Sequence, residues 1–153
     1  MALCRVDKNC KLVSLLRVII VFRHENGIER NVAVLIGKTV THIDIAEDEM
    51  QITCDDGSKY LFYHEQDCCE RVSIVGVDGD PLELVGYELL VVDEAKGDDE
   101  PDSTICDDSW TATKFTFKTT KDTVVVRWIG QSNGYYSESV DFIEIFDAKT
   151  SEK

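Results

Sequence analysis

The sequence predicts a mainly β domain (β-rich α+β), either an antiparallel meander sheet or a small sandwich or half-barrel, with one short helix. Three observations lead there. Apolar and polar residues alternate with period two, as in Met50-Gln51-Ile52-Thr53-Cys54 and Phe115-Thr116-Phe117-Lys118, which marks half-buried antiparallel strands. The same segments are rich in Val, Ile, Thr and aromatic residues, which suit a pleated surface. Between them stand Asn26-Gly27 and Asp56-Gly57, pairs that accept the positive φ of tight hairpin turns.

Residues 1–34 admit three readings. Leu12–Phe22 has the length of a helix, but the β-branched run Val18-Ile19-Ile20-Val21 favours a strand over Val18–His24 that turns at Asn26-Gly27 into Ile28–Leu35. The third reading is a basic, apolar extension ahead of a core domain spanning 35–147. Within that core, strands are expected at Val40–Ile45, Met50–Cys54 and Lys59–His64, with a turn at Glu47-Asp48-Glu49. Glu65–Glu70 has room for one helical turn. The short helix is expected after Asp80, with Pro81 at its first position and Gly86 ending it. Asp93–Asp108 carries Asp98, Asp99, Glu100, Pro101 and Asp102 and reads as a self-repelling loop. Strands follow at Thr111–Thr120 and Thr123–Ile129, the latter so rich in valine that burial on both faces is expected. A long loop around Asn133-Gly134 leads to a last strand at Ser139–Phe146, and residues 148–153 read as a frayed tail.

The bulk numbers narrow the function. With 153 residues and 43% hydrophobic content the chain can build one domain with a real core. A net charge of -14 repels phosphates and anionic lipid heads, so direct nucleic-acid binding is not expected and basic partners are. The charge is uneven: residues 1–38 hold seven basic and three acidic side chains, against nine and 27 in the remainder. The apolar run Leu12–Phe22 is broken by Arg17 and too short to span a bilayer. It lacks the cleavage site of a signal peptide. The six cysteines (Cys4, Cys10, Cys54, Cys68, Cys69 and Cys106) are therefore expected as mostly free thiols in a reducing, cytoplasmic compartment.

Two stretches can carry chemistry. In Tyr63-His64-Glu65-Gln66-Asp67-Cys68-Cys69-Glu70, a helical turn would put His64 and Cys68 on one face, a spacing that suits zinc; Cys69, the other candidate ligand, would point away from Cys68, so a third donor would have to come from Cys54, Cys106, His42 or a carboxylate elsewhere. The same imidazole beside Cys68 or Cys69 could activate a thiol nucleophile. The plainer reading is a strand-to-loop corner with small buried thiols and a hydrogen-bonded histidine. His64, Gln66 and Asp67 are also expected as ligand-binding residues. The second stretch runs from Arg127 to Ser139. Arg127 can fork onto an anion. Trp128, Tyr135 and Tyr136 can stack, and Asn133, Ser137 and Glu138 can donate or accept. The plainer reading is a long hairpin loop whose aromatics pack back on the sheet. Both stretches are expected at one end of the sheet. Walker, Rossmann and GxSxG patterns do not occur.

Leu35-Ile36-Gly37-Lys38-Thr39, Asp55-Asp56-Gly57 with Tyr60, His64-Glu65-Gln66-Asp67-Cys68-Cys69-Glu70, Arg127-Trp128 and Ser132-Asn133-Gly134-Tyr135-Tyr136-Ser137-Glu138-Ser139-Val140-Asp141-Phe142 together resemble an uncharacterised family of small bacteriophage and prophage proteins. The resemblance covers Leu35 to Ile145. It implies an accessory protein working in a host bacterial cytoplasm and transfers no catalytic role. The expected function is a non-enzymatic module, with a counter-defence role in view, that binds a small anionic ligand through Arg127 and the tyrosines or a host protein through its acidic surface. The alternative is a metal- or thiol-dependent enzyme built on His64, Cys68 and Cys69. A third class is a virion-associated protein that self-pairs through an open strand edge.

Overall fold

The computed structural model describes residues 27–101 and 109–146. The expected strand at 18–24, the turn residue Asn26, three cysteines (4, 10 and 106), and the segments 102–108 and 147–153 lie outside the described residues.

Two antiparallel sheets pack face to face, which is the sandwich form of the expected mainly β fold. In the first, β1 (Gly27–Glu29) pairs with β9 (Asp141–Ile145), followed by β4 (Lys59–Tyr63), β3 (Met50–Cys54) and β2 (Val40–Ile45). In the second the order is β5 (Arg71–Asp78), β8 (Thr123–Ser132), β7 (Ser109–Lys118) and β6 (Val91–Lys96). The core lies between them. Phe62 of the first sheet meets Phe115 and Phe117 of the second edge-on, at centroid distances of 4.9 and 5.8 Å. Around these rings Met50, Ile52, Tyr60, Leu84, Val124, Val126 and Trp128 are buried.

Local chemistry explains most elements. β2 and β3 occupy the expected spans and pair Ile43 with Ile52 and Ile45 with Met50, so their apolar sides share a face. The turn between β3 and β4 has Gly57 at φ 85°, and the Asp56 carboxylate accepts the Ser58 backbone N–H at 2.9 Å. The short helix is a single 3-10 turn, Pro81–Leu84, capped by Asp80, whose Oδ1 accepts Leu82 N–H at 3.0 Å.

Several expectations fail for tertiary reasons. Ile28–Leu35 is not one strand. It is short β1, paired with β9, then a 3-10 turn over Val32–Leu35 that sends Val32 and Leu35 into the core. No helical turn forms over Glu65–Glu70. Strand β5 went unpredicted, and β6 runs into the stretch read as an acidic loop from Asp93. Both are edge strands with one partner each. In β6 the only fully buried side chain is Val92, so pairing with β7, rather than its own pattern, makes it a strand. β8 is central as expected, but burial on both faces holds only for its second half: Val125 and Arg127 are half-buried opposite the buried Val124, Val126 and Trp128, while Ile129–Ser132 are all buried.

A candidate binding site where the chain crosses between sheets

The chain passes from sheet to sheet at one end of the sandwich by two crossovers. Residues 64–70 carry it from β4 to β5, and residues 133–140 carry it back from β8 to β9. His64 joins them. Its Nδ1 donates to the Ser139 carbonyl at 2.8 Å, and its Nε2 lies 3.2 Å from Glu70 Oε1. The ring is 5% exposed and the Glu70 side chain fully enclosed. A second tie runs from the Glu65 backbone N–H to Asp141 Oδ2 at 3.1 Å.

Glu70 organises the first crossover. Its carboxylate accepts the backbone N–H groups of Asp67 and Cys68. Gln66 donates its side-chain amide to the carbonyls of Cys68 and Glu70. Burial works against a charge on Glu70, but the backbone N–H groups of Asp67, Glu70 and Cys68 together with His64 outweigh it and hold the carboxyl below its ordinary value.

The second crossover is held by hydroxyls. Glu138 accepts Ser132 Oγ at 2.7 Å, Thr111 Oγ1 at 2.8 Å and Ser109 Oγ at 3.3 Å. The strap passes so close to β8 that a Cβ on Gly130 would stand 2.2 Å from the Glu138 carbonyl oxygen. Asn133 accepts the Tyr135 backbone N–H at 3.1 Å, and Gly134 turns with φ 86°. Tyr135 and Tyr136 meet edge-on at 5.1 Å, and Tyr135 is 84% exposed. Ser137 and Ser139 share a hydroxyl hydrogen bond of 2.8 Å.

Between the crossovers opens a cleft of about 400 Å³ lined by His64, Glu65, Gln66, Asp67, Glu70, Ser137 and Asp141. Four carboxylates line it beside one imidazole, a field suited to a cation.

The structure brings together only part of the residues singled out from sequence. His64, Gln66, Asp67 and Ser137 share the cleft, and Asn133, Tyr135, Tyr136 and Glu138 belong to the crossover beside it. Trp128 is wholly enclosed in the core and has no face to offer a ligand. Arg127, its neighbour in β8, points the opposite way, because successive strand residues alternate sides. It lies flat over Gly76 on the outer face of the second sheet. There its Nε stands 3.0 Å from Asp78 Oδ2, close enough to pair charges without an aligned hydrogen bond, and its Nη1 donates to Asp99. Arg127, Trp128 and Tyr136 therefore do not converge. Glu138 is turned onto its three hydroxyl partners rather than outward.

Nor do His64, Cys68 and Cys69 form a ligand set. The ring nitrogens of His64 are both engaged, and Cys68 and Cys69, both exposed, are disulfide-bonded to each other instead of standing as free thiols. Among the described residues no group of three or more His, Cys, Asp or Glu is placed to hold a metal ion. Cys54 is a free buried thiol whose pKa is raised by burial. Glu65, Glu70 and Asp141 were missed as cleft residues. In the sequence Asp141 is simply a polar residue opening a strand, and only the crossing of two loops gives it a role.

These features define a two-sheet β-sandwich whose polar end is built from paired crossovers. The chain belongs to a family described as a domain of unknown function, DUF7448, whose model matches residues 33–142 and so spans both crossovers. No curated protein and no solved structure matches the chain. Among the described residues no helix is long and apolar enough to cross a membrane.

Proposed function

We propose that the crossover end is a non-enzymatic recognition surface for a basic group on a partner protein. In a phage-encoded accessory protein this would occupy a basic surface of a host protein, a counter-defence role in a bacterial cytoplasm. The observation that carries the reading is the acidic cleft between His64 and Asp141 beside the exposed ring of Tyr135. Carboxylates around a recess attract a lysine or arginine side chain, and an exposed tyrosine adds flat apolar area of the kind that anchors interfaces. The competing idea, capture of a small anion by Arg127, has less support because Asp78 and Asp99 already pair with that guanidinium.

The test is a titration of the full chain with an arginine-rich peptide and, separately, with nucleotides. The peptide should bind with an affinity that falls as salt rises, and Asp67→Asn with Asp141→Asn should weaken it about tenfold or more, as expected for lost charge-assisted contacts. Nucleotide binding abolished by Arg127→Ala, with no response to the peptide, would overturn the proposal in favour of the anion reading.

A further inference from the structure

The first crossover is built around its two cysteines. Cys68 and Cys69 are disulfide-bonded to each other, and both residues are exposed. Their neighbours in the chain, Asp67 and Glu70, both line the cleft. The backbone of the pair belongs to the same web of hydrogen bonds. Cys68 donates its N–H to Glu70 Oε2 at 3.3 Å, and its carbonyl accepts the Gln66 amide at 3.4 Å. Glu70 meets His64 at 3.2 Å, and His64 bonds to the Ser139 carbonyl of the second crossover at 2.8 Å. A continuous chain of contacts therefore runs from the disulfide to both crossovers.

A bond between adjacent cysteines closes a small ring through both sulfurs, both Cβ and Cα atoms and the peptide bond between them. That ring contains the Cα–C bond of Cys68 and the N–Cα bond of Cys69, two of the soft backbone torsions that set where Asp67 and Glu70 point. Opening the ring returns these torsions to ordinary freedom, and they must then be ordered again whenever the cleft is filled. Access separates this pair from Cys54, a free thiol 2% exposed in the core. Exposed disulfides are the ones that exchange readily with thiols, and where a disulfide occurs in a reducing compartment it is chiefly transient or redox-sensing.

We propose that Cys68 and Cys69 form a thiol–disulfide exchange site that gates the acidic cleft. The disulfide form holds the cleft ready for a basic group, and the dithiol form relaxes it. The exchange partner is a small thiol or dithiol. Its thiolate attacks one sulfur, the Sγ–Sγ bond breaks as a mixed disulfide forms, and a second partner thiolate releases it. Two partner thiols become one disulfide, and their two protons end on Cys68 and Cys69. A disulfide oxidant runs the same exchange backwards. The loss of binding on reduction rests on the reading of the cleft as a site for a basic group; the coupling of the sulfurs to the second crossover does not.

The test takes the full chain equilibrated with oxidised glutathione and then with dithiothreitol. Trypsin releases residues 60–71 as one peptide whose only cysteines are Cys68 and Cys69, so the bond is read by mass as the loss of two hydrogens. Affinity for an arginine-rich peptide should fall roughly tenfold on reduction and return on reoxidation. The doubly substituted chain Cys68→Ser, Cys69→Ser should bind like the reduced form with either reagent. On reduction the amide resonances of Asp67, Glu70, Ser139 and Asp141 should shift. If the arginine-rich peptide binds neither form, the basic-group reading fails, and the mass and those resonances still decide the exchange site and its coupling. No bond within 60–71 after oxidation, equal affinity in the two forms, or shifts confined to Cys68 and Cys69 would overturn the proposal.

Discussion

The crossover end and the outer face of β8 both gather charged side chains, yet they are different kinds of place. Around Arg127 the charges neutralise one another locally: one guanidinium lies on a glycine-floored sheet between Asp78 and Asp99. At the crossover end a buried pair, His64 with Glu70, ties two distant stretches of chain together and leaves further carboxylates facing a recess. A charge held in a local pair contributes little to stability and has little left for a ligand. A charge that links loops organises its surroundings and fixes where the remaining groups point. Density of binding-type residues in a sequence does not separate the two cases.

Single substitutions separate the two places. The largest effect should come from Trp128→Ala. As a core residue it should cost about 3–5 kcal/mol in urea unfolding; a change in ligand binding with stability intact would mean the ring is a contact residue after all. Next is Glu70→Gln, which removes the enclosed carboxylate that accepts the Asp67 and Cys68 N–H groups beside His64 and should cost about 3 kcal/mol at neutral pH. Here the sign with pH is fixed. The Glu70 carboxyl is held below its ordinary value, so its stabilising contribution is complete above the ordinary carboxylate range and is lost as pH falls through the lowered value. The gap in melting temperature between wild type and Glu70→Gln should therefore be widest near neutrality and close on acidification; a gap that widens in acid would contradict the ionised latch.

Gly130→Ala should cost about 1–3 kcal/mol, because its methyl group would force the 133–140 strap off β8. Amide exchange in residues 137–140 should quicken with it. Arg127→Ala should cost about 1 kcal/mol or less, as a partly exposed pair does. Smallest of all, Tyr135→Ala should move stability by under about 0.5 kcal/mol while weakening peptide binding, a separation readable from thermal unfolding and titration side by side.

Much of the architecture was legible in the residues. β2, β3 and the hairpin at Asp56-Gly57 follow from alternation and turn chemistry, and the 3-10 turn follows from Asp80, Pro81 and Gly86. These are local signals, settled within a few residues. β5 and β6 were not legible. β6 carries Asp93, Glu94 and Lys96, which alone describe a solvated loop; hydrogen bonding to β7 overrides that preference. The acidic cleft was half legible: the chemistry of His64, Gln66 and Asp67 was visible, whereas Asp141 came into it only through folding.

By itself the sequence determined that this chain forms antiparallel strands around an aromatic and valine-rich core, because side-chain alternation and turn residues act over short range. Only the tertiary structure decided which polar residues meet. Trp128 and Arg127 are neighbours in the chain but occupy opposite sides of a sheet, while His64 and Ser139, 75 positions apart, share a hydrogen bond. That outcome depends on how two crossovers are packed against each other, a long-range contact that no local pattern encodes.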